Sequence, residues 1–225
     1  MRTPLIHAAV TRGATLLVLF LLFAAVASPL RAANAAVSME RLELDARIDP
    51  TGPTLYAKAN LVLRNRERTP VELVDFEIPA PLGARTTVEN VWDRNGQLAW
   101  RSDAVEATQP LAITVALRLP LAPGDRQRIV IAFAIQLEGL SAPAPAQVSA
   151  RRAQLAMSGW YPALAGSEAT MPEWIRVTVR LPKDWQVEGI VRPKRVLEGE
   201  ASASFEMTIK GAPVNAVLFR ATAPQ

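Results

Sequence analysis

Between Met157 and Trp185 the chain gathers the residues whose types and spacing could do chemistry: Trp160, Tyr161, Trp174 and Trp185, with Glu168 and Glu173 among them. Large rings presented by a turn can form a platform on which a sugar, a peptide or a partner loop stacks. The same rings can plug the seam between two sheets, and their position beside a regular strand favours that packing role. Gly159 and Pro162 fix the turn that presents Trp160 and Tyr161 in either case. Glu168 and Glu173 are the acids to weigh for glycoside hydrolysis, which needs two carboxylates about 5–10 Å apart across a cleft. Lone acids are more often solvated, and Glu43 and Asp45 alternate with apolar residues as the wet face of a strand.

Histidine occurs once, at His7, and cysteine nowhere. Beyond residue 7 the chain therefore cannot supply a usual structural zinc site, a His-x-x-x-His catalytic site, a Ser-His-Asp triad or a disulfide. A Ser-Lys dyad would need a buried lysine. Lys58 falls on an outward strand position, and Lys183, Lys194 and Lys210 fall in turn-like sequence. The expectation is a chain without catalytic residues, metal or cofactor.

The elements that must position the aromatic residues have a period of two almost throughout. Trp174 to Leu181 alternates strictly, which puts Ile175, Val177, Val179 and Leu181 on one face of a half-buried strand, and Pro182 closes it. Leu42 to Ile48 and Ala57 to Leu63 alternate on either side of Asp49-Pro50-Thr51-Gly52 and predict a hairpin. Val74, Phe76 and Ile78 share a face. Asp93-Arg94-Asn95-Gly96 predicts a second hairpin, joining Val88–Trp92 to Gln97–Trp100. A third is predicted between Ile113–Leu119 and Ile129–Leu137. Ser141 to Arg152 reads as a surface loop, and a loop near 141–156 is where the domain could divide into two sub-sheets. Further strands are predicted at Val187–Val191, Arg195–Leu197, Phe205–Ile209 and Val214–Ala221. No amphipathic helical segment appears among them. The fold class is all-β, an antiparallel β-sandwich or saddle-like double sheet spanning residues 36–225 as a single domain, preceded by an N-terminal signal helix.

Trp160-Tyr161-Pro162, then a strand ending Val-Arg-Leu-Pro and Lys183-Asp184-Trp185, resembles the later half of the N-terminal β domain of M1-family zinc aminopeptidases. Leu42 to Pro50 and Ala57 to Asn65 are similar to that family's opening hairpin. The resemblance covers most of the chain after about residue 38. It implies the fold and ancestry of an aminopeptidase accessory domain. The family's zinc ligands and glutamate base belong to a separate, following domain, so the resemblance implies no peptidase activity for these residues.

Residues 1–35 read as a bacterial-type signal peptide. Arg2, His7 and Arg12 form a basic start, Ala14 to Ala27 is an apolar run short of the roughly 20 residues a spanning helix needs, and Ala33-Asn34-Ala35 suits cleavage after Ala35. An uncleaved anchor is the alternative, and in either case the remainder is expected in the periplasm or outside the cell. Three cations (Arg2, Arg12, Arg31) and no acids precede residue 36, leaving 22 cations against 21 acids. That balance argues against a nucleic-acid partner, and leaves the membrane only through the signal segment. The excess of arginine over lysine is read as coding bias. The best sequence reading is an exported, non-catalytic module that binds a protein partner, such as an M1-like catalytic chain or a membrane complex. The alternatives are a small-ligand or glycan binder using the aromatic surface and, last, a residual peptidase.

Overall fold

Alternating apolar residues make strands here because each strand buries one face and leaves the other wet. The computed structural model describes residues 37–103, 106–140, 144–166, 172, 174–210 and 216–224. The expected signal helix, Glu168 and Glu173 lie outside those residues. In chain order the strands are β1 (Val37–Asp49), β2 (Thr54–Asn65), β3 (Val71–Ile78), β4 (Thr86–Asp93), β5 (Gly96–Gln97) and β6 (Ala99–Ser102). β7 (Leu111–Leu121), β8 (Arg126–Gln136), β9 (Ala146–Ser149), β10 (Arg152–Ala156) and β11 (Ala163–Leu164) follow. The last are β12 (Trp174–Pro182), β13 (Gln186–Gly189), β14 (Lys194–Glu198), β15 (Ser202–Lys210) and β16 (Val217–Thr222).

An eight-stranded sheet, in the order β14-β15-β12-β1-β2-β8-β4-β5, forms the backbone of the fold. Two four-stranded sheets, β13-β16-β10-β9 and β11-β3-β7-β6, complete it. All three contribute to one continuous core and lie in one compact unit, so the fold is all-β. Leu42, Leu44, Leu61, Ile131, Phe133, Val177 and Val179 line the inner face of the large sheet and are almost completely buried. At about 25 cal/mol per Å² of apolar surface, burial on this scale is the dominant stabilising contribution.

The hairpin predicted at Asp49–Gly52 forms, with β1 and β2 paired from Val37↔Asn65 to Asp49↔Thr54. Three other expectations are corrected. β7 and β8 do not pair: β7 joins β3 and β6, whereas β8 joins β2 and β4. Residues 120–125 carry the chain from one sheet to another, because alternation tells a strand which face to bury and not which neighbour to take. The Asp93–Gly96 turn pairs Trp92↔Gln97 and Asp93↔Gly96, with one more bond from the Leu98 amide to the Val91 carbonyl at 2.9 Å. Gly96 holds the positive φ, 122°, and after Leu98 the chain enters a different sheet as β6. The span read as a loop, 141–152, contains β9, which pairs with β10. Ala146 of β9 and Ala153 of its partner β10 are fully buried, and alanine is too small to announce a strand by hydrophobicity.

Asn65 holds the corner where these sheets meet. Its side chain is buried, and its Nδ2 donates to the carbonyls of Thr69 and Leu121, both at 2.8 Å. Its Oδ1 accepts the Glu67 amide at 2.8 Å. Its backbone pairs with Asp125 and Gly124 across the same corner. Asn65→Ala is expected to cost about 2–3 kcal/mol, because it orphans buried carbonyls as well as removing bonds. Urea unfolding measures this, and a loss below about 0.5 kcal/mol, the range of ordinary surface substitutions, would contradict it.

Candidate functional site

The aromatic stretch divides by burial. Trp160 is fully buried, and Tyr161 and Trp185 are nearly so. Gly159 takes φ 87°, and a Cβ there would lie 2.9 Å from the Pro145 ring, so glycine is needed for the turn. Immediately after it the two rings fold back on the strand they have just left. Trp160 Nε1 donates to the Ala156 carbonyl and the Tyr161 hydroxyl to the Met157 carbonyl, each at 2.8 Å. The rings meet edge to face with centroids 5.3 Å apart. Each polar handle is satisfied inside the core, which lets rings of this size be buried without penalty. Burial pushes the Tyr161 hydroxyl well above the ordinary phenol range. These three rings are therefore packing residues and offer no platform.

Trp174 differs. It is half-buried on the outer face of the large sheet, with the Arg41 guanidinium 3.9 Å from its ring centroid and Arg176 at 5.8 Å. Arg41 and Trp174 are register partners across β1 and β12. This aromatic adjoins a cluster of ion pairs on the outer face of the large sheet.

Outward positions on β12, β1, β2 and β8 assemble that surface around two carboxylates. Glu43 contacts Arg41 at 2.6 Å, Arg176 at 3.0 Å and Arg128 at 3.8 Å, and accepts from Asn60 Nδ2 at 2.7 Å. Glu40 contacts Arg126, Arg64 at 3.3 Å and Arg66 at 3.4 Å. Glu43 and Glu40 are only 17% and 23% exposed, whereas their arginines stand further out. The Arg126 guanidinium, hydrogen-bonded to Glu40, holds that carboxyl below its ordinary value of 4.5; partial desolvation opposes this and Arg64 reinforces it. A carboxylate bound by three guanidinium groups is a poor general acid and has few lone pairs left for a metal. Among the described residues no group of three or more His, Cys, Asp or Glu side chains could hold a metal ion. The arrangement is suited to recognition: fixed planar donors, a polarised indole and an excess of positive charge.

No protein-family model matches this sequence, and no curated protein matches it. Solved structures do match. A mutant M1 zinc metallopeptidase from Deinococcus radiodurans superposes with a TM-score of 0.63 at 18% identity, over 83% of this chain and 42% of that one. The fold is that of part of an M1 zinc metallopeptidase. A mutant from the same organism bound to a Tyr-Ser-Ala substrate gives 0.63 at 17% identity over the same shares. A two-domain M1 zinc metallopeptidase mutant bound to L-tryptophan gives 0.63 at 16%, over 83% and 43%. The chain thus spans less than half the length of the structures it matches.

Sequence reasoning singled out Trp160, Tyr161, Trp174 and Trp185 as one group, and the structure separates the first, second and fourth from the third. Glu168 and Glu173 fall outside the described residues. The residues that sequence reasoning missed are the arginines around Glu40 and Glu43. Their signal was present, since Arg64, Arg128 and Arg176 occupy outward strand positions, but only the strand order makes them neighbours.

Trp160→Ala is expected to destabilise the fold by about 3–5 kcal/mol, as for a large buried aromatic. A shift in the urea midpoint worth less than about 1 kcal/mol would contradict its role as a core residue. The Glu40 network adds a pH dependence. Because the folded-state pKa is lowered, its stabilisation is present above 4.5 and is lost as pH falls through the folded value. Glu40→Gln is expected to flatten the decline of the urea midpoint between about pH 5 and pH 3. An unchanged acid limb would contradict the ion-pair assignment.

Proposed function

We propose that this chain is an exported, non-catalytic β module that binds a protein partner, in the manner of an accessory domain of an M1-type peptidase or of a membrane complex. One observation carries the reading: an M1-type β fold is built from a sequence that has no cysteine and whose single histidine, His7, precedes the fold. Zinc hydrolysis of the M1 kind needs histidine ligands, so such chemistry would depend on another segment or another chain. The export reading rests on the basic start and on the apolar run from Ala14 to Ala27. The protein-binding reading is supported by the outer face of the large sheet, where exposed guanidinium groups surround the half-buried Trp174. Arginine and tryptophan are the residue types that most often dominate binding energy at protein interfaces.

A photoreactive p-benzoylphenylalanine at Thr178, on that outer face, is expected to give a discrete adduct with a second polypeptide when intact bacterial cells are irradiated. A chain that gives no adduct from any outer-face position refutes the reading. The purified chain supplied with zinc is expected to leave aminoacyl-p-nitroanilides intact. Zinc-dependent turnover that tracks the chain through purification would place the function among the hydrolases instead.

A further inference from the structure

Beside the Glu40 network runs a groove of about 430 Å³ between the Asp93–Gly96 turn, the end of β7 and the start of β8. Arg94, Arg118, Arg126 and Arg128 line it, against the acids Asp93 and Asp125. Asp93 is buried, and its Oδ1 accepts the Asn95 amide at 2.7 Å, so one of the two acids is committed to its own turn. Apolar surface shares the groove: Leu119 is 70% exposed, and Val62 and Pro120 adjoin it. Together with the neighbouring network, eight arginines face four acids (Glu40, Glu43, Asp93, Asp125). The chain from residue 36 onward carries only 22 cations against 21 acids, so this local excess is a concentration and not a reflection of overall charge.

We infer that this groove docks an acidic segment of a partner protein, with carboxylates on the arginine wall and an apolar side chain against Leu119. The inference rests on the protein-binding reading above and names the partner's chemistry. Guanidinium forks match carboxylates bidentately, and within this chain the adjoining arginines Arg126 and Arg128 already engage the carboxylates of Glu40 and Glu43. A membrane surface or a nucleic acid would call for an unbroken basic field, whereas here four acids are set among the arginines. The exposed leucine has no use against a phosphate backbone but fits a peptide with mixed acidic and apolar residues.

Fluorescence anisotropy of a fluorescein-labelled Glu-Glu-Leu-Asp-Glu-Leu peptide with the full chain tests the inference. Binding is expected to weaken at least about tenfold in R94E/R118E and in the Glu/Asp→Gln/Asn peptide, and to weaken with added salt. Leu119→Ser, which removes the apolar contact without changing charge, is expected to weaken it several-fold and provides a second reading if the double variant is unstable. Absence of peptide binding, equal binding by R94E/R118E, or equally effective competition by inorganic phosphate or phosphatidylglycerol vesicles would overturn the inference. The Thr178 adduct separates the two levels. If it persists unchanged in R94E/R118E, the groove assignment fails and the protein-binding reading stands. If no outer-face position of the wild-type chain gives an adduct while the peptide still binds, the broader reading fails and the groove's acidic-ligand chemistry remains.

Discussion

The parallel pairing of β1 with β12 is the constraint on which the rest of the structure depends. It runs from Arg41↔Trp174 to Arg47↔Arg180 and is the single parallel pairing among the described strands. More than a hundred residues of chain separate its partners, so it splices the early strands β2, β8 and β4 to the late strands β15 and β14 in one sheet. On the inner face it aligns Leu42 with Ile175, Leu44 with Val177 and Ala46 with Val179, all buried. Parallel pairs are usually covered on both faces. Here one face is open, and what it carries is charge.

That open face and the aromatic corner divide the work. Trp160 and Tyr161 spend their polar atoms on Ala156 and Met157, and their rings fill the interior. Arg41 and Arg176 both approach the Trp174 ring and converge on Glu43, a meeting that exists only because β12 lies beside β1. Individual surface ion pairs contribute little to stability, roughly 0–1 kcal/mol each. A network that holds several guanidinium groups in fixed positions is better understood as a preorganised surface, whose ordering entropy is already spent.

Much of the fold could be read from the sequence, because burying one face imposes a period of two. Ile175 to Leu181 and Leu42 to Ile48 show it plainly, and the β1–β2 turn carried its own signal in Asp49-Pro50-Thr51-Gly52. Neighbour relations could not be read in the same way. β8 alternates as the sequence suggests and β7 does so only as far as Val115, beyond which Leu119 faces out; the two strands fill the common core from different sheets. β9 was hidden by alanines. The site was less legible than the fold: an arginine on a strand looks solvated until the strand order puts Arg128 and Arg176 on opposite sides of Glu43. The aromatic group was misleading as a set: the alternation from Ile175 to Leu181 already put Trp174 on the opposite face, whereas the inward turn of Trp160 and Trp185 has no such signal.

The central claim is this division, with the aromatic corner as core and Trp174 on the open outer face of the large sheet. Acrylamide quenching of tryptophan emission from the full chain tests it most directly when the tryptophans are replaced one at a time. Trp160→Phe is expected to leave the quenchable, red-shifted component intact, whereas Trp174→Phe diminishes it. A quenchable component that disappears with Trp160→Phe and survives Trp174→Phe would contradict the account and return the aromatic corner to the surface.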